Sequence, residues 1–190
     1  MKFVPTDIDG VMLVELESMS DDRGSFARWY CEDEVSSAGL DPVGVQINFS
    51  TNERAGTMRG LHWQTPPHGE AKLLRCIRGA VYDVAVDARP GSPTLGQHVG
   101  VELSAENQLG IYVPACMAHG YLALTDGASV LYQVGAPHHS GAERGVRWDD
   151  PLLGIDWPAP VAQVSDKDRS WDLLDDLAQL APLDSPTGDL

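Results

Sequence analysis

Positive charge is scarce in this chain. Thirteen Lys and Arg residues stand against 28 Asp and Glu in 190 residues, a formal net charge of -15. Nucleic acid, which needs a basic footprint, is therefore not an expected partner. The deficit does not exclude an anionic small molecule, because a few arginines focused in one cleft set the field there. Long apolar runs are also missing. None approaches the ~18 residues that cross a bilayer, and Lys2 is followed by Phe-Val-Pro-Thr-Asp rather than by the apolar stretch of an export signal. Cysteine is sparse and odd in number: Cys31, Cys76 and Cys116 form no C-x-x-C pair and read as buried thiols of a reducing compartment. The expectation is a soluble, cytoplasmic protein with no membrane partner. Internal repeats and low-complexity segments are absent.

What is present suits one globular domain. The composition, 43% hydrophobic and 22% charged, is ordinary, and the length is enough to bury a core without staples. Short alternating runs recur at Val11–Leu16, Phe26–Tyr30, Val43–Ser50, Met58–Gln64, Ala71–Arg78, Ala80–Val86, Gln97–Leu103, Leu109–Val113, His119–Leu124 and Ser129–Val134. Turn residues separate them at roughly 8–12-residue spacing, which predicts an all-β sandwich or barrel, with a jelly roll the nearest match. In the Val43–Ser50 run, Gln46, Asn48 and Ser50 share one face, and Val45, Ile47 and Phe49 the other, expected to be buried. Glu32 to Leu40 suggests a short helix. Trp171, Leu174, Leu177 and Leu180 follow a three-to-four-residue period that predicts a short amphipathic helix. The main domain is thus expected over residues 1–170, with a C-terminal helix and acidic tail over 171–190.

The chemistry is expected in Met58–Gln64 and Ala71–Gly79. Strand alternation places His62 and Gln64 on one face and Leu61 and Trp63 on the other, while Lys72 shares a face with Leu74 and Cys76. If the two segments are neighbours across the Pro66-Pro67-His68-Gly69 turn, a base and a cation converge in one cavity. Alternation puts Arg59 opposite His62, so a bulge at Gly60 is expected to re-aim one of them. Each residue also has a plainer reading: Lys72 as an edge lysine, Tyr132 as core beside Val130 and Val134, Asp168 as a helix N-cap, His119 as a satisfied buried histidine and Arg23 as a surface residue of its turn.

These segments combine with Asp87-Ala88-Arg89, Ser92-Pro93-Thr94, Leu103-Ser104-Ala105-Glu106-Asn107, Pro114 to His119-Gly120-Tyr121, Tyr132, Trp148-Asp149-Asp150-Pro151 and Ser165-Asp166-Lys167-Asp168. In this order and spacing the chain resembles the dTDP-4-dehydrorhamnose 3,5-epimerase family, a branch of the cupin superfamily, over about residues 5 to 170. The resemblance implies a jelly-roll homodimer acting on a dTDP-linked 4-keto-6-deoxy sugar, with no metal and no organic cofactor. His62 would be the base that takes the proton beside the C4 ketone, and Asp168 would hold its ring. Lys72 would face the enolate oxygen, and Tyr132 would return a proton from the far face. His119 would lie near the sugar. Arg59, Gln46 and Asn48 would contact diphosphate and sugar, and Arg23 and Phe26 would reach the nucleotide of the partner subunit. The residue types suit the task, since a weakly acidic α-proton needs a base poised near neutrality together with charge stabilisation where the enolate forms.

Two positions depart from the family's pattern. Arg28 stands where a glutamate is common, and a guanidinium cannot accept a hydrogen bond from a base. Ala136-Pro137-His138-His139 replaces a tyrosine-containing segment, which would narrow the reaction to C3 or C5 alone. A sugar-nucleotide ketoisomerase is a second alternative, and a catalytically silent binding protein a third. A metal cupin is disfavoured, because His62-Trp63-Gln64 offers an amide where such proteins place a second imidazole.

Overall fold

The structure is a computed structural model that describes residues 1–181; the acidic tail expected over Pro182 to Leu190 lies outside the described residues. The chain opens with β1 (Lys2–Pro5) and β2 (Met12–Glu15), a ribbon of β3 (Met19–Asp21) and β4 (Gly24–Phe26), and helix α1 (Glu32–Ser37). Then come β5 (Gln46–Asn52), β6 (Met58–Gln64), β7 (Lys72–Arg78), β8 (Ala80–Asp87) and β9 (His98–Ser104). The last strands are β10 (Gly110–Val113), β11 (Met117–Ala123), β12 (Ala128–Val134) and β13 (Glu143–Gly145), followed by the single turn α2 (Asp166–Arg169).

Two antiparallel sheets face each other as a jelly roll, ordered β1-β2-β10-β7-β12-β5 and β13-β6-β11-β8-β9. Between them lies an apolar core in which Leu74, Cys76, Ile111 and Val130 of the first sheet meet Val81, Ala85, Leu103 and Tyr121 of the second. The outer face of the five-stranded sheet is covered by the chain after residue 146, with Leu61, Trp63, Val84 and Val86 packed against Val146, Leu153, Trp157 and Leu180. The outer face of the other sheet is covered in part by α1, through Val35 and its neighbours.

The expected all-β architecture is present, with three local differences. The second strand is not Phe26 to Tyr30 but the ribbon pair around the Asp21–Gly24 turn; Trp29 instead stacks over the buried Arg75 guanidinium, 4.8 Å from its ring centroid, and the Tyr30 hydroxyl accepts from Val43 N–H. The apolar face of β5 is the outward one: Val45, Ile47 and Phe49 are 60%, 61% and 63% exposed. The C-terminal helix expected from Trp171 is reduced to a 3-10 turn at Leu177–Leu180. Leu174, Leu177 and Leu180 do pack on one apolar cluster, which accounts for their spacing. Side chains take the backbone amides that a helix would need: Leu174 N–H donates to Asp150, Asp175 N–H to Gln179 and Ala178 N–H to Asp176.

The Asp87–Thr94 motif forms a structural latch. The Asp87 carboxylate, fully buried, accepts from the Arg89 guanidinium and from the Ser92 and Thr94 hydroxyls. Burial pushes its pKa up, but those donors outweigh it and hold the carboxyl well below the usual range.

Candidate active site

His62 on β6 and His119 on β11 are direct register partners, so their rings lie on the same, inner face of the five-stranded sheet. The register slips between His119 and Tyr121. At that slip Gly60 has φ of +110°, and a Cβ there would come within 2.6 Å of the His119 carbonyl oxygen, so only glycine fits. The expected bulge is therefore present, and both Arg59 and His62 line one cavity of about 660 Å³. Leu61 and Trp63 point outward into the apolar cover, as alternation requires.

The floor of the cavity carries two imidazole–carboxylate pairs. His62 Nε2 is 2.6 Å from Asp168 Oδ1, and Asp168 also accepts from Gly60 N–H at 3.3 Å. Burial raises the Asp168 pKa, but the hydrogen bonds from His62 and Gly60 outweigh it, and the carboxyl is held below its ordinary value. An ionised carboxylate only accepts, so Nε2 carries a proton, and it is Nδ1 whose lone pair is available in the neutral ring. Asp168 is not the N-cap of α2; Ser165 is, its hydroxyl accepting from Asp168 N–H. The second pair joins His119 Nε2 to the fully buried Asp83 at 2.9 Å.

The opposite wall comes from the six-stranded sheet. β6 and β7 are not hairpin neighbours; they belong to different sheets, and Lys72 faces His62 across the cavity instead of along one sheet. The Lys72 ammonium is 3.1 Å from the Glu70 carboxylate, with the two side chains 12% and 13% exposed. Tyr132 on β12 lines the same wall beside Leu74. Burial pushes its pKa up, with Tyr121 and Glu70 adding to the rise and Arg59 opposing it, so the phenol stays a neutral donor over the physiological range.

His62, Lys72, Tyr132, Asp168, Arg59 and His119 are thus brought together. Arg23 and Phe26 are not: both are exposed on the β3–β4 ribbon, where Arg23 pairs with Asp21 at 2.6 Å. Gln46 and Asn48 sit on the edge strand β5 and bond to each other at 2.7 Å, outside the cavity lining. Gln64 is buried and lies outside the cavity lining. Its amide donates to the His68 and Pro137 carbonyls and accepts from His139 N–H, tying two loops together. His138 and His139 also lie outside the lining, His139 stacking on His68 with centroids 3.8 Å apart. Arg28 pairs with Glu34. No group of three or more His, Cys, Asp or Glu converges on a common point among the described residues.

Asp83, Glu70 and Asn52 went unread in the sequence. Asp83 had a signal, a carboxylate inside the apolar run Val81–Val86. Glu70 and Asn52 lie in polar stretches that announce nothing until the sheets are folded together.

The described part of the chain holds no helix long and apolar enough to cross a membrane. The model of the family described as dTDP-4-dehydrorhamnose 3,5-epimerase matches residues 5–176. The chain is 43% identical over 171 residues to the dTDP-4-dehydrorhamnose 3,5-epimerase of Sinorhizobium fredii, covering 90% of this chain and 88% of that one. A dTDP-6-deoxy-D-glucose-3,5-epimerase of Legionella pneumophila, solved with dTDP-4-keto-L-rhamnose, superposes with a TM-score of 0.86 at 38% identity, covering 95% of this chain and 97% of the other. The 3'-monoepimerase ChmJ of Streptomyces bikiniensis, solved with dTDP-quinovose, gives a TM-score of 0.83 at 35% identity over 92% of this chain and 87% of the other. Sequence match, jelly roll and cavity agree, and the chain belongs to the dTDP-4-dehydrorhamnose 3,5-epimerase family.

Proposed function

We propose that this isomerase inverts one or both of the carbons flanking the C4 ketone, C3 and C5, of a dTDP-linked 4-keto-6-deoxyhexose, in deoxysugar biosynthesis. The observation that carries the reading is the placement of the His62–Asp168 pair and the Lys72 ammonium on facing walls of one cavity. His62 Nδ1 takes the proton from the carbon next to the ketone, leaving an enolate whose oxygen the Lys72 ammonium steadies. Asp168 stabilises the imidazolium formed. Tyr132, on the wall opposite His62, donates a proton to the other face of the same carbon, and the centre is inverted. Arg59 holds the diphosphate, and His119 lies against the sugar.

The test is incubation with dTDP-4-keto-6-deoxyglucose in deuterated water. Deuterium is expected at C3, C5 or both: label at both overturns the narrowing read from Ala136 to His139, label at one carbon only assigns a single-centre enzyme, and label at neither removes the reading. A product whose carbonyl has moved identifies a ketoisomerase. Tyr132→Phe is expected to slow inversion more than exchange, since the base still removes the proton when the far-side donor is gone; equal loss of both would take Tyr132 out of that role.

The protein is further proposed to act as a homodimer whose β3–β4 ribbon carries Arg23 and Phe26 into the partner's cavity. Supporting this is the exposure of five large apolar side chains, Met19 and Phe26 on the ribbon and Val45, Ile47 and Phe49 at and before β5, which a partner subunit would cover. A monomeric mass in solution would refute it. The free thiols fit a cytoplasmic setting.

A further inference from the structure

Most of the arginines that the structure ties down are held by carboxylates: Arg23 by Asp21, Arg28 by Glu34, Arg89 by Asp87 and Arg147 by Asp149. Arg59 is held differently. Its Nε donates to Asn52 Oδ1 at 2.8 Å and its Nη2 to the Thr51 carbonyl at 3.2 Å, and among the described residues no carboxylate pairs with it. Asn52 is 1% exposed. Its Nδ2 donates to the Ala128 carbonyl at 3.1 Å and lies 3.4 Å from the Tyr121 hydroxyl, which in turn bonds Ser50 at 2.8 Å. The two acceptors around Nδ2 fix which way the amide points, because a flipped amide would set oxygen against oxygen at Ala128 and NH₂ against the Arg59 N–H.

Asn52 is on β5 and Arg59 on β6, so this bond runs from one sheet to the other at the rim of the cavity. A carboxylate at position 52 would aim the guanidinium equally well, but it would cancel the charge. An amide oxygen aims it and leaves the charge whole.

We propose that Asn52 is a positioning residue that orients Arg59 toward the diphosphate of the substrate while keeping its charge uncompensated, in a chain whose excess of acid would otherwise quench it. The inference rests on the reading of Arg59 as the diphosphate ligand. In Asn52→Asp a carboxylate beside the guanidinium offers the diphosphate a neutral pair, and the field that draws a dianion into the cavity weakens.

The test measures dTDP affinity by calorimetry at low and high salt, with steady-state kinetics on the 4-keto sugar, in the wild type, Asn52→Asp, Asn52→Ser and Arg59→Met. Asn52→Asp is expected to raise the dTDP Kd and KM about tenfold, the size of one lost charge-assisted contact, with kcat changed less than about twofold. Its salt dependence should flatten toward that of Arg59→Met, because the charge being screened is gone. Asn52→Ser, which adds no charge and shortens the acceptor, should raise Kd a few-fold and keep the wild-type salt dependence. A general packing defect would lower kcat and leave the salt dependence alone. Wild-type affinity and salt dependence in Asn52→Asp, beside a weakened Arg59→Met, would overturn the role of Asn52 alone. Wild-type affinity in Arg59→Met would overturn the assignment of Arg59 itself. Should the buried carboxylate of Asn52→Asp, set against the Ala128 carbonyl, prevent folding, Asn52→Ser decides: unchanged dTDP affinity there overturns the proposal.

Discussion

His62→Ala is expected to abolish deuterium exchange into the 4-keto sugar, a loss of about 10³-fold or more, near the upper range for removing a general base. Two imidazoles face the cavity, and the geometry separates them. The His119 side chain lines the cavity but is only 8% exposed, with Asp83 fully buried behind it. The His62 side chain is 28% exposed, so its free nitrogen can meet a substrate. Its partner is the better anchored of the two, since Asp168 also takes the Gly60 amide and rides on a turn capped by Ser165. Asp168→Asn would keep the shape but leave one acceptor oxygen for two donors, and with that oxygen on the Gly60 amide the NH₂ is set against Nε2. With an amide NH₂ facing Nε2, the ring takes the other tautomer, and Nδ1 carries a proton where a lone pair is needed. The expected loss for Asp168→Asn is about a hundredfold or more, smaller than for His62→Ala only in so far as the ring can still turn. Exchange at the wild-type rate in His62→Ala would transfer the role of base to His119.

Lys72→Met is expected to lower kcat by about 10²–10³, the usual cost of losing an electrostatic stabiliser of a developing oxyanion. Here the loss has two parts. Removing the ammonium takes away the charge that meets the enolate, and it leaves the Glu70 carboxylate, 3.1 Å away and largely buried, with no counter-charge. The remaining anion then opposes the enolate. A Lys72→Met/Glu70→Gln double variant should therefore recover part of the rate, a non-additivity that a double-mutant cycle reads directly. If Lys72→Met raises KM and leaves kcat intact, the lysine binds substrate without stabilising the transition state.

Alternation carried the type of nearly every central element, and the resemblance supplied six residues that the cavity brings together, while Arg23, Phe26, Gln46 and Asn48, which it also implied, lie outside the lining. His62 could be placed against Leu61 and Trp63 by counting, and the conflict with Arg59 could be resolved by noticing a glycine between them. What alternation does not say is which face is inside. Around β5 the apolar residues Val45, Ile47 and Phe49 suggested the interior, yet the strand is the sheet's edge and all three are exposed, and the cavity takes Phe49 together with Ser50 and Thr51. The C-terminal period failed for a related reason. Leu174, Leu177 and Leu180 recur as a helix would have them, but they answer to an apolar surface already laid down by the sheet. The turns that join them are set by neighbouring carboxylate and amide side chains. Pairings between strands were the least legible: Asp83 with His119 forms when β8 meets β11, and Asn52 with Arg59, and Lys72 in front of His62, only when the two sheets close.

The imidazole at position 62 emerges from the ribosome 106 residues ahead of the carboxylate that orients it. The strap that delivers this carboxylate is held by Ala162 N–H on Gly56 and Met58 N–H on Gln163, so it can settle only onto a finished sheet. Under the proposed mechanism competence for turnover therefore waits on the strap, and a nascent protein halted short of it would keep the imidazole but lose both its carboxylate and the part of the cleft wall that Gln163 to Asp168 build.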